Sequence, residues 1–373
     1  FWKYQTYNPI ELMAEPLKNR YNEKMIKALG EEIIAVYPEF NKKEFQKCIF
    51  ADGWDKKELK DRMYFIAKVL HDYIPEKYSK SINILKKVST CFEGFEYMIF
   101  PAFVELYGLE YYEESIVALE YFTPRASSEF AVRPFIIKYE TQMMNQMSEW
   151  AESCNPHVRR LASEGCRPRL PWAMALPNFK ENPTPVLSIL KKLLMDESEY
   201  VRRSVANNLN DISKDNPKIL ISLAKKCLGG DNDTDKLIKH ACRSLLKKGD
   251  SEALNLFGFN PATHIIIEKF KVQTSVNMGS ELTFSFTLKT ARGNLGKLRI
   301  EYAIDFMKKN GQQRRKVFKI SESDYIKQTK IVLKQYSFKQ ISTRTYYVGK
   351  HHLAILLNGK EMEKNEFILC DKY

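Results

Sequence analysis

Two acids stand where the local field works against them. Glu164 falls in the last turn of a helix expected to start near Pro156 and stop at Gly165, and Asp211 falls near the end of one that opens at Val201. A carboxylate there faces the negative end of the helix dipole, at a cost of ~0.3 to 1 kcal/mol. The plain alternatives are an i,i+4 pair of Glu164 with Arg160, and turn capping by Asp211 ahead of Asp215-Asn216-Pro217. A third acid, Glu129, follows Ser127-Ser128 and precedes Phe130-Ala131-Val132-Arg133-Pro134, where a first-turn acid is favoured by the dipole. Pro168 and Pro171 keep the segment after Gly165 from being helical, so Trp172 sits on or just after a stiff loop flanked by Arg167 and Arg169. The indole there either plugs a gap between elements or faces a ligand.

Arg159-Arg160 and Arg202-Arg203 follow Val158 and Val201 at the same point of two helices. Such a row suits successive phosphates, and salt bridges between repeats are the alternative. Other constellations are weak. In a strand, His351-His352 puts one ring on each face, which disfavours a shared metal. Cys166 lies beside basic residues, with no histidine assignable as its base. No phosphate-binding glycine loop, dinucleotide fingerprint, GxSxG or HExxH occurs, and no cofactor or metal is expected.

The elements that must position these residues change character along the chain. Residues 9 to about 260 read helical: Met25, Ile26, Leu29, Ile33 and Ile34 recur at helical spacing, as do Leu59, Met63, Ile66 and Leu70. Pro16, Pro38, Pro75 and Pro101 are taken as punctuation between helices. Val158-Arg159-Arg160, Val201-Arg202-Arg203 and the looser Ile238-Lys239-His240 lie 43 and 37 residues apart, near the ~40-residue period of HEAT-type repeats. From about 264 the period becomes two. Leu282, Phe284, Phe286 and Leu288 alternate with polar residues, as do Leu298 to Phe306 and Leu353 to Leu357. Asn310-Gly311 and Asn358-Gly359 are hairpin signals. The fold class expected is a multidomain α plus β chain. An all-α HEAT-like-repeat solenoid (1–260) is followed by an antiparallel immunoglobulin-like β-sandwich of about seven strands (264–373), with Gly258 to Thr263 as linker.

The chain has 373 residues with 59 Lys+Arg against 46 Asp+Glu. Residues 264–373 hold 21 of those bases and 10 of the acids, a balance of +11, against +2 for the rest. A polyanionic partner is therefore expected, gripped in large part by the C-terminal segment. Lys308, Lys309, Arg314, Arg315 and Lys316 crowd one hairpin there. A hydrophobic fraction of 44% excludes disorder, and no apolar run is long enough to span a membrane. The seven cysteines are dispersed, with no zinc-ligand spacing, which reads as reduced thiols in the cytoplasm. Phe1 to Tyr7 lacks the features of a signal peptide.

With these motifs in view, the chain resembles the HEAT-like-repeat DNA alkylation repair glycosylases, in their AlkC branch. The resemblance is carried by Ser127-Ser-Glu-Phe-Ala-Val-Arg-Pro-Phe135, Val158-Arg-Arg-Leu-Ala-Ser-Glu-Gly165, Arg167-Pro-Arg-Leu-Pro-Trp172 and Val201 through Asp211. It extends to Ala14-Glu-Pro-Leu-Lys18 and Leu59-Lys-Asp-Arg62 and includes the immunoglobulin-like domain of one subset of the branch. It implies a monofunctional glycosylase that excises cationic alkylated bases from duplex DNA, chiefly 3-methyladenine, with 3-methylcytosine as a second candidate. Asp211, Glu164, Trp172 and Glu129 then form the pocket. Arg160 and Arg203, and by position Arg159, Arg167, Arg169 and Arg202, would contact the DNA backbone. A monomer is expected, acting on DNA that is bent with its lesion still largely stacked.

The residue types suit that chemistry. A cationic base is a good leaving group and needs no strong acid. Carboxylates in a partly dry site stabilise the positive charge that develops on the sugar. The face of Trp172 would add a cation–π attraction of about 0.5 to 2 kcal/mol. On this reading Asp211→Asn leaves melting nearly unchanged. The competing reading is a non-catalytic HEAT-repeat DNA-binding or scaffolding protein, which would gain nothing from acids on a phosphate-facing surface.

Overall fold

In the computed structural model, residues 15–51, 53–341 and 344–371 are described. Residues 9 to 14 of the expected helical stretch, Ala14 of the Ala14 to Lys18 motif included, lie outside them. Helices come first and strands follow. Two compact units divide between Ile212 and Ser213.

In the first unit the described residues form α1 (Glu23–Val36), α2 (Lys42–Ile49), α3 (Leu59–Tyr73), α4 (Tyr78–Ser89), α5 (Ile99–Tyr107), α6 (Tyr112–Phe122), α7 (Val132–Lys138), α8 (Glu140–Trp150), α9 (Pro156–Gly165), α10 (Pro177–Glu181), α11 (Thr184–Lys192) and α12 (Glu199–Ile212). The helices start where polar side chains replace missing backbone partners. Asn22, Asn41 and Asn155 accept from the backbone N–H of Met25, Glu44 and His157 at 3.0, 3.2 and 2.8 Å. Their apolar stripes face inward: Met25, Ile26, Leu29 and Ile33 of α1, and Met63, Ile66 and Leu70 of α3, are buried. Each such side chain contributes about 1.5 to 3 kcal/mol of burial.

Two local readings change. Pro101 does not separate helices but lies in the first turn of α5, where its missing N–H has no helical acceptor to lose. The helix ends at Gly165 as expected, but for a different reason. Gly165 does not take the left-handed conformation. A Cβ on it would lie 2.7 Å from Val132 Cγ2 and 3.2 Å from Met147 Cε, so the glycine is there to let α7 and α8 approach.

The second unit begins with α13 (Pro217–Cys227), α14 (Asn232–Ala241), α15 (Arg243–Lys248) and α16 (Ser251–Leu256). The strands are β1 (Ile265–Val272), β2 (Ser275–Asn277), β3 (Glu281–Thr290), β4 (Gly296–Met307), β5 (Gln313–Tyr325), β6 (Thr329–Ser337), β7 (Gly349–Leu357) and β8 (Lys360–Cys370). They form a three-stranded sheet, β1-β3-β6, and a five-stranded sheet, β2-β8-β7-β4-β5. Pairing is antiparallel except for the short β2 against β8. Both expected hairpins form, with Gly311 at φ 77° and Asn358-Gly359 at φ 47° and 79°.

The alternating strands bury Phe284, Phe286, Ile300, Tyr302, Ile304, Leu353 and Ile355 between the sheets. On β4, however, the alternate residues Arg299, Glu301, Ala303 and Asp305 are buried as well. Helices of the same unit cover that face. Lys239 of α14 pairs with Glu322 at 2.5 Å, and Gly249 packs so closely on Gly359 that a Cβ on Gly359 would stand 2.7 Å from the Gly249 Cα. Arg299 answers Glu301 at 2.6 Å and Glu322 at 3.1 Å. The stretch from Gly258 to Thr263 does separate helices from strands, but it is packed rather than free: Phe259 and Ala262 are buried.

The third repeat is also shifted. Val158 and Val201 are third in α9 and α12 and buried; in α14 the buried third residue is Thr234, and Ile238 comes one turn later. Among the described residues no helix is long and apolar enough to cross a membrane.

Candidate active site

Arg160, Glu164 and Arg167 recur at spacings of four and three, and so do Ser204, Asn208 and Asp211. This puts one polar stripe on α9, extended into the loop behind it, and one on α12. The two stripes meet. The Arg167 guanidinium donates from Nη1 to Glu164 Oε1 at 2.5 Å and from Nε to Asp211 Oδ2 at 2.8 Å. The Ser204 hydroxyl donates to Glu164 Oε2 at 2.6 Å. Asn208 donates to the Ser163 carbonyl at 2.7 Å. Glu164 and Asp211 are 5% and 1% exposed, so both charges are held largely out of water by one shared arginine. The local alternative for Glu164 is present as well, but loosely: Arg160 Nη2 stands 3.6 Å from it.

Glu129 reaches the same cluster from the turn ahead of α7. Arg160 Nη1 lies 2.5 Å from Glu129 Oε2, and the Ser127 hydroxyl donates to that oxygen at 2.9 Å. Burial works to lower the Arg160 and Arg167 guanidiniums, but the facing carboxylates outweigh it and hold both above the ordinary arginine value. These contacts bring three carboxylates and two guanidiniums together. A third guanidinium, Arg133, is fully buried and donates to the carbonyls of Gly165, Arg167 and Met174 at 2.8, 2.9 and 2.7 Å. It ties the loop that carries Arg167 to α7. Beside Arg160 opens a cleft of about 260 Å³ lined by Ser127, His157 and Tyr200. The half-exposed Tyr200 ring lies 5.4 Å from the Arg160 guanidinium carbon.

The structure brings Glu129, Glu164 and Asp211 together. The Trp172 ring is 63% exposed and plugs no gap in the core; its backbone takes φ +63°, which bulky L residues rarely adopt. Arg167 is buried between two acids. Arg159 is also buried, bound through two nitrogens to Asp196 at 2.6 and 3.1 Å and to the Ser153 and Cys154 carbonyls. Arg202 likewise donates to the Asp196 and Glu197 carbonyls at 2.7 and 2.9 Å. Arg159 therefore joins α9 to the turn ahead of α12, while Arg202 closes on the start of its own helix, so both guanidiniums are engaged within the protein. Arg203 is exposed and Arg160 mostly covered. Arg169 is exposed. At the hairpin, Lys308, Lys309, Arg314, Arg315 and Lys316 are all exposed, with Arg315 paired to Glu361.

Ser204, Asn208, Arg133 and Tyr200 escaped the sequence reading. The spacing of 204, 208 and 211 was the available signal for the first two. Nothing local marks Arg133, whose partners lie more than thirty residues away. Cys166 is wholly buried and its thiol is pushed up to about 12 by burial, so it is no nucleophile. Brief iodoacetamide treatment of native protein near neutral pH should label exposed Cys154 and spare Cys166; peptide mass mapping that finds Cys166 carbamidomethylated would contradict this. Among the described residues no group of three His, Cys, Asp or Glu could hold a metal ion.

Comparison with known proteins bears on this geometry. A family model described as "DNA alkylation repair enzyme" matches residues 126–245, the segment that contains all three acids. A second, the C-terminal Ig-like domain of YhaZ, matches residues 266–371. The uncharacterized protein YhaZ of Bacillus subtilis (strain 168) is 45% identical over 356 residues, covering 95% of this chain and 99% of its own. The alkylpurine DNA glycosylase AlkC of Pseudomonas fluorescens, solved bound to DNA containing an abasic site analog, superposes with a TM-score of 0.90 at 35% identity. That match covers 95% of this chain and 99% of the other. The chain belongs to the AlkC branch of the DNA alkylation repair family, with the immunoglobulin-like domain at its C-terminal end.

Proposed function

We propose that the protein is a monofunctional DNA glycosylase that releases cationic alkylated bases, chiefly 3-methyladenine, from duplex DNA. The observation that carries this reading is the pair Glu164 and Asp211, buried and held by one guanidinium, with Glu129 beside them. A surface that only grips phosphates gains nothing from acids placed beside it. In the reaction the bond between C1′ and the base breaks with its electrons going to the base, which leaves neutral because it was already cationic. Positive charge grows on the deoxyribose and is met by fixed carboxylates rather than by water that must reorient. A water then adds to C1′ and gives its proton to a carboxylate or to solvent. The AlkC complex with an abasic site analog, a mimic of the product of base removal, supports the same assignment here.

The test is to incubate the chain with methylated duplex DNA and identify released bases by mass spectrometry. Free 3-methyladenine is expected, with the DNA strand left intact at the abasic site. Binding of that DNA without release of any base would return the protein to the scaffold class.

Trp172 is assigned to the lesion side. Because its ring is exposed, Trp172→Ala should change stability by less than about 1 kcal/mol. It should still slow excision several-fold, through loss of a cation–π contact. A variant of unchanged rate would remove the indole from the site.

The basic hairpin is assigned to the DNA backbone. Replacing Lys308, Lys309 and Arg314 by Ser should flatten the log–log salt dependence of binding by about 2 to 3, at ~0.9 for each phosphate contact. Arg315 is left in place because Glu361 already holds it. An unchanged slope would move the DNA contacts elsewhere.

A further inference from the structure

The Trp172 backbone is held by a residue of a distant helix. Lys60, in the first turn of α3, donates from Nζ to the Trp172 carbonyl at 2.6 Å across 112 positions of sequence. The same ammonium lies 4.5 Å from the centre of the Phe130 ring and 5.4 Å from that of Tyr64. Phe130 is the neighbour of Glu129. Tyr64, one turn along α3, is fixed by donating to both Glu105 oxygens at 2.8 and 3.0 Å. One side chain therefore spans the segment that carries Glu129 and the loop that carries Trp172.

Trp172 needs such a hold. Its φ of +63° is one that a bulky L residue rarely adopts, and such a conformation persists only where the surroundings impose it. Arg133 holds the loop on either side, at the carbonyls of Arg167 and Met174, and Lys60 holds the residue itself. The ammonium is partly withdrawn from water, and burial draws its proton affinity below the usual lysine range, with Arg133 adding to the effect and Glu105 opposing it.

We propose that Lys60 is a positioning residue for Trp172, aiming the indole by fixing the direction of the Trp172 carbonyl and keeping it in register with the segment that carries Glu129. The excision part of this rests on the glycosylase reading; the structural part does not. The test uses the full chain labelled with 5-fluorotryptophan, its Trp172 resonance assigned by loss of the signal in Trp172→Phe. In Lys60→Met that ¹⁹F resonance should shift or split, while Lys60→Arg, which keeps a long donor, should restore most of the wild-type position. An unmoved resonance in Lys60→Met overturns the proposal. So does one that Lys60→Arg disturbs as much as Lys60→Met.

Single-turnover excision gives the functional arm. Lys60→Met should lower the maximal rate a few-fold, by no more than Trp172→Ala does, with little change in half-saturation by DNA. In a Trp172→Ala background the same change should have almost no further effect, because the residue acts through the indole. An equal loss in both backgrounds would make Lys60 an independent contact and sink the positioning role. If no variant and no wild-type chain excises any base while the ¹⁹F shift is present, the glycosylase reading fails and the positioning of Trp172 stands.

Discussion

Asp211→Asn should lower the single-turnover rate of base release at least about tenfold, roughly 1.4 kcal/mol of barrier. Asparagine is nearly isosteric and still offers a carbonyl oxygen to Arg167 Nε, so the variant removes charge while the hydrogen bond can persist. The structure changes what else to expect. From sequence alone the substitution looked free of stability cost, a misplaced acid at a helix end. In the fold Asp211 is 1% exposed and is one of two anions that neutralise Arg167. Weakening that pairing should cost about 1 to 3 kcal/mol of unfolding free energy, so rates must be compared well below the melting range of the variant. Wild-type rates in a folded Asp211→Asn protein would take Asp211 out of the mechanism.

The largest stability loss is expected at Arg167. Arg167→Met keeps the length of the side chain but leaves Glu164 and Asp211 buried with their shared cation gone. Breaking a buried pair by removing one partner costs about 3 to 5 kcal/mol, and here one removal weakens the pairing of two carboxylates. For a unit of this size each kcal/mol is worth about 2 to 4 °C, so melting should fall by roughly 6 to 20 °C. Arg167→Lys should lie between, because a point charge cannot answer both acids with the fork that guanidinium offers. Thermal unfolding checks both variants. If Arg167→Met melts within a degree of the wild type, the bridge carries no stability and the two acids must be neutralised in another way.

Much of the fold was legible because its signals are local. The helices announce themselves by period, and the strands by strict alternation at Leu282 to Leu288. Pro156 and Gly165 bound their helix as expected. What misled was context. Pro101 reads as a breaker until it is seen in a first turn. Gly165 reads as a C-cap until Val132 and Met147 are found against it. On β4 the alternation promises a wet outer face, and only helices packed on that face explain why Arg299 and Glu301 are buried.

The three acids were visible as residues whose types and positions were locally odd, and their meeting was not. Glu129, Glu164 and Asp211 span 82 positions, and nothing in the spacing says that a single arginine joins two of them. The arginines show the same limit from the other side. Four of them in a repeated pattern read as a phosphate row, yet Arg159 and Arg202 turn to acids and carbonyls within the protein. By itself, then, the sequence determined the order of helices and strands, the excess charge of the last 110 residues, and the residue types available for stabilising a cation. Those follow from propensity, hydrophobic period and charge, which act over a few residues at a time. Only the tertiary structure decided which charges face one another, which are withdrawn from water, and that Lys60 reaches Trp172. Those depend on distances across the fold, and in a low-dielectric interior the distance between two charges sets both the cost and the use of burying them.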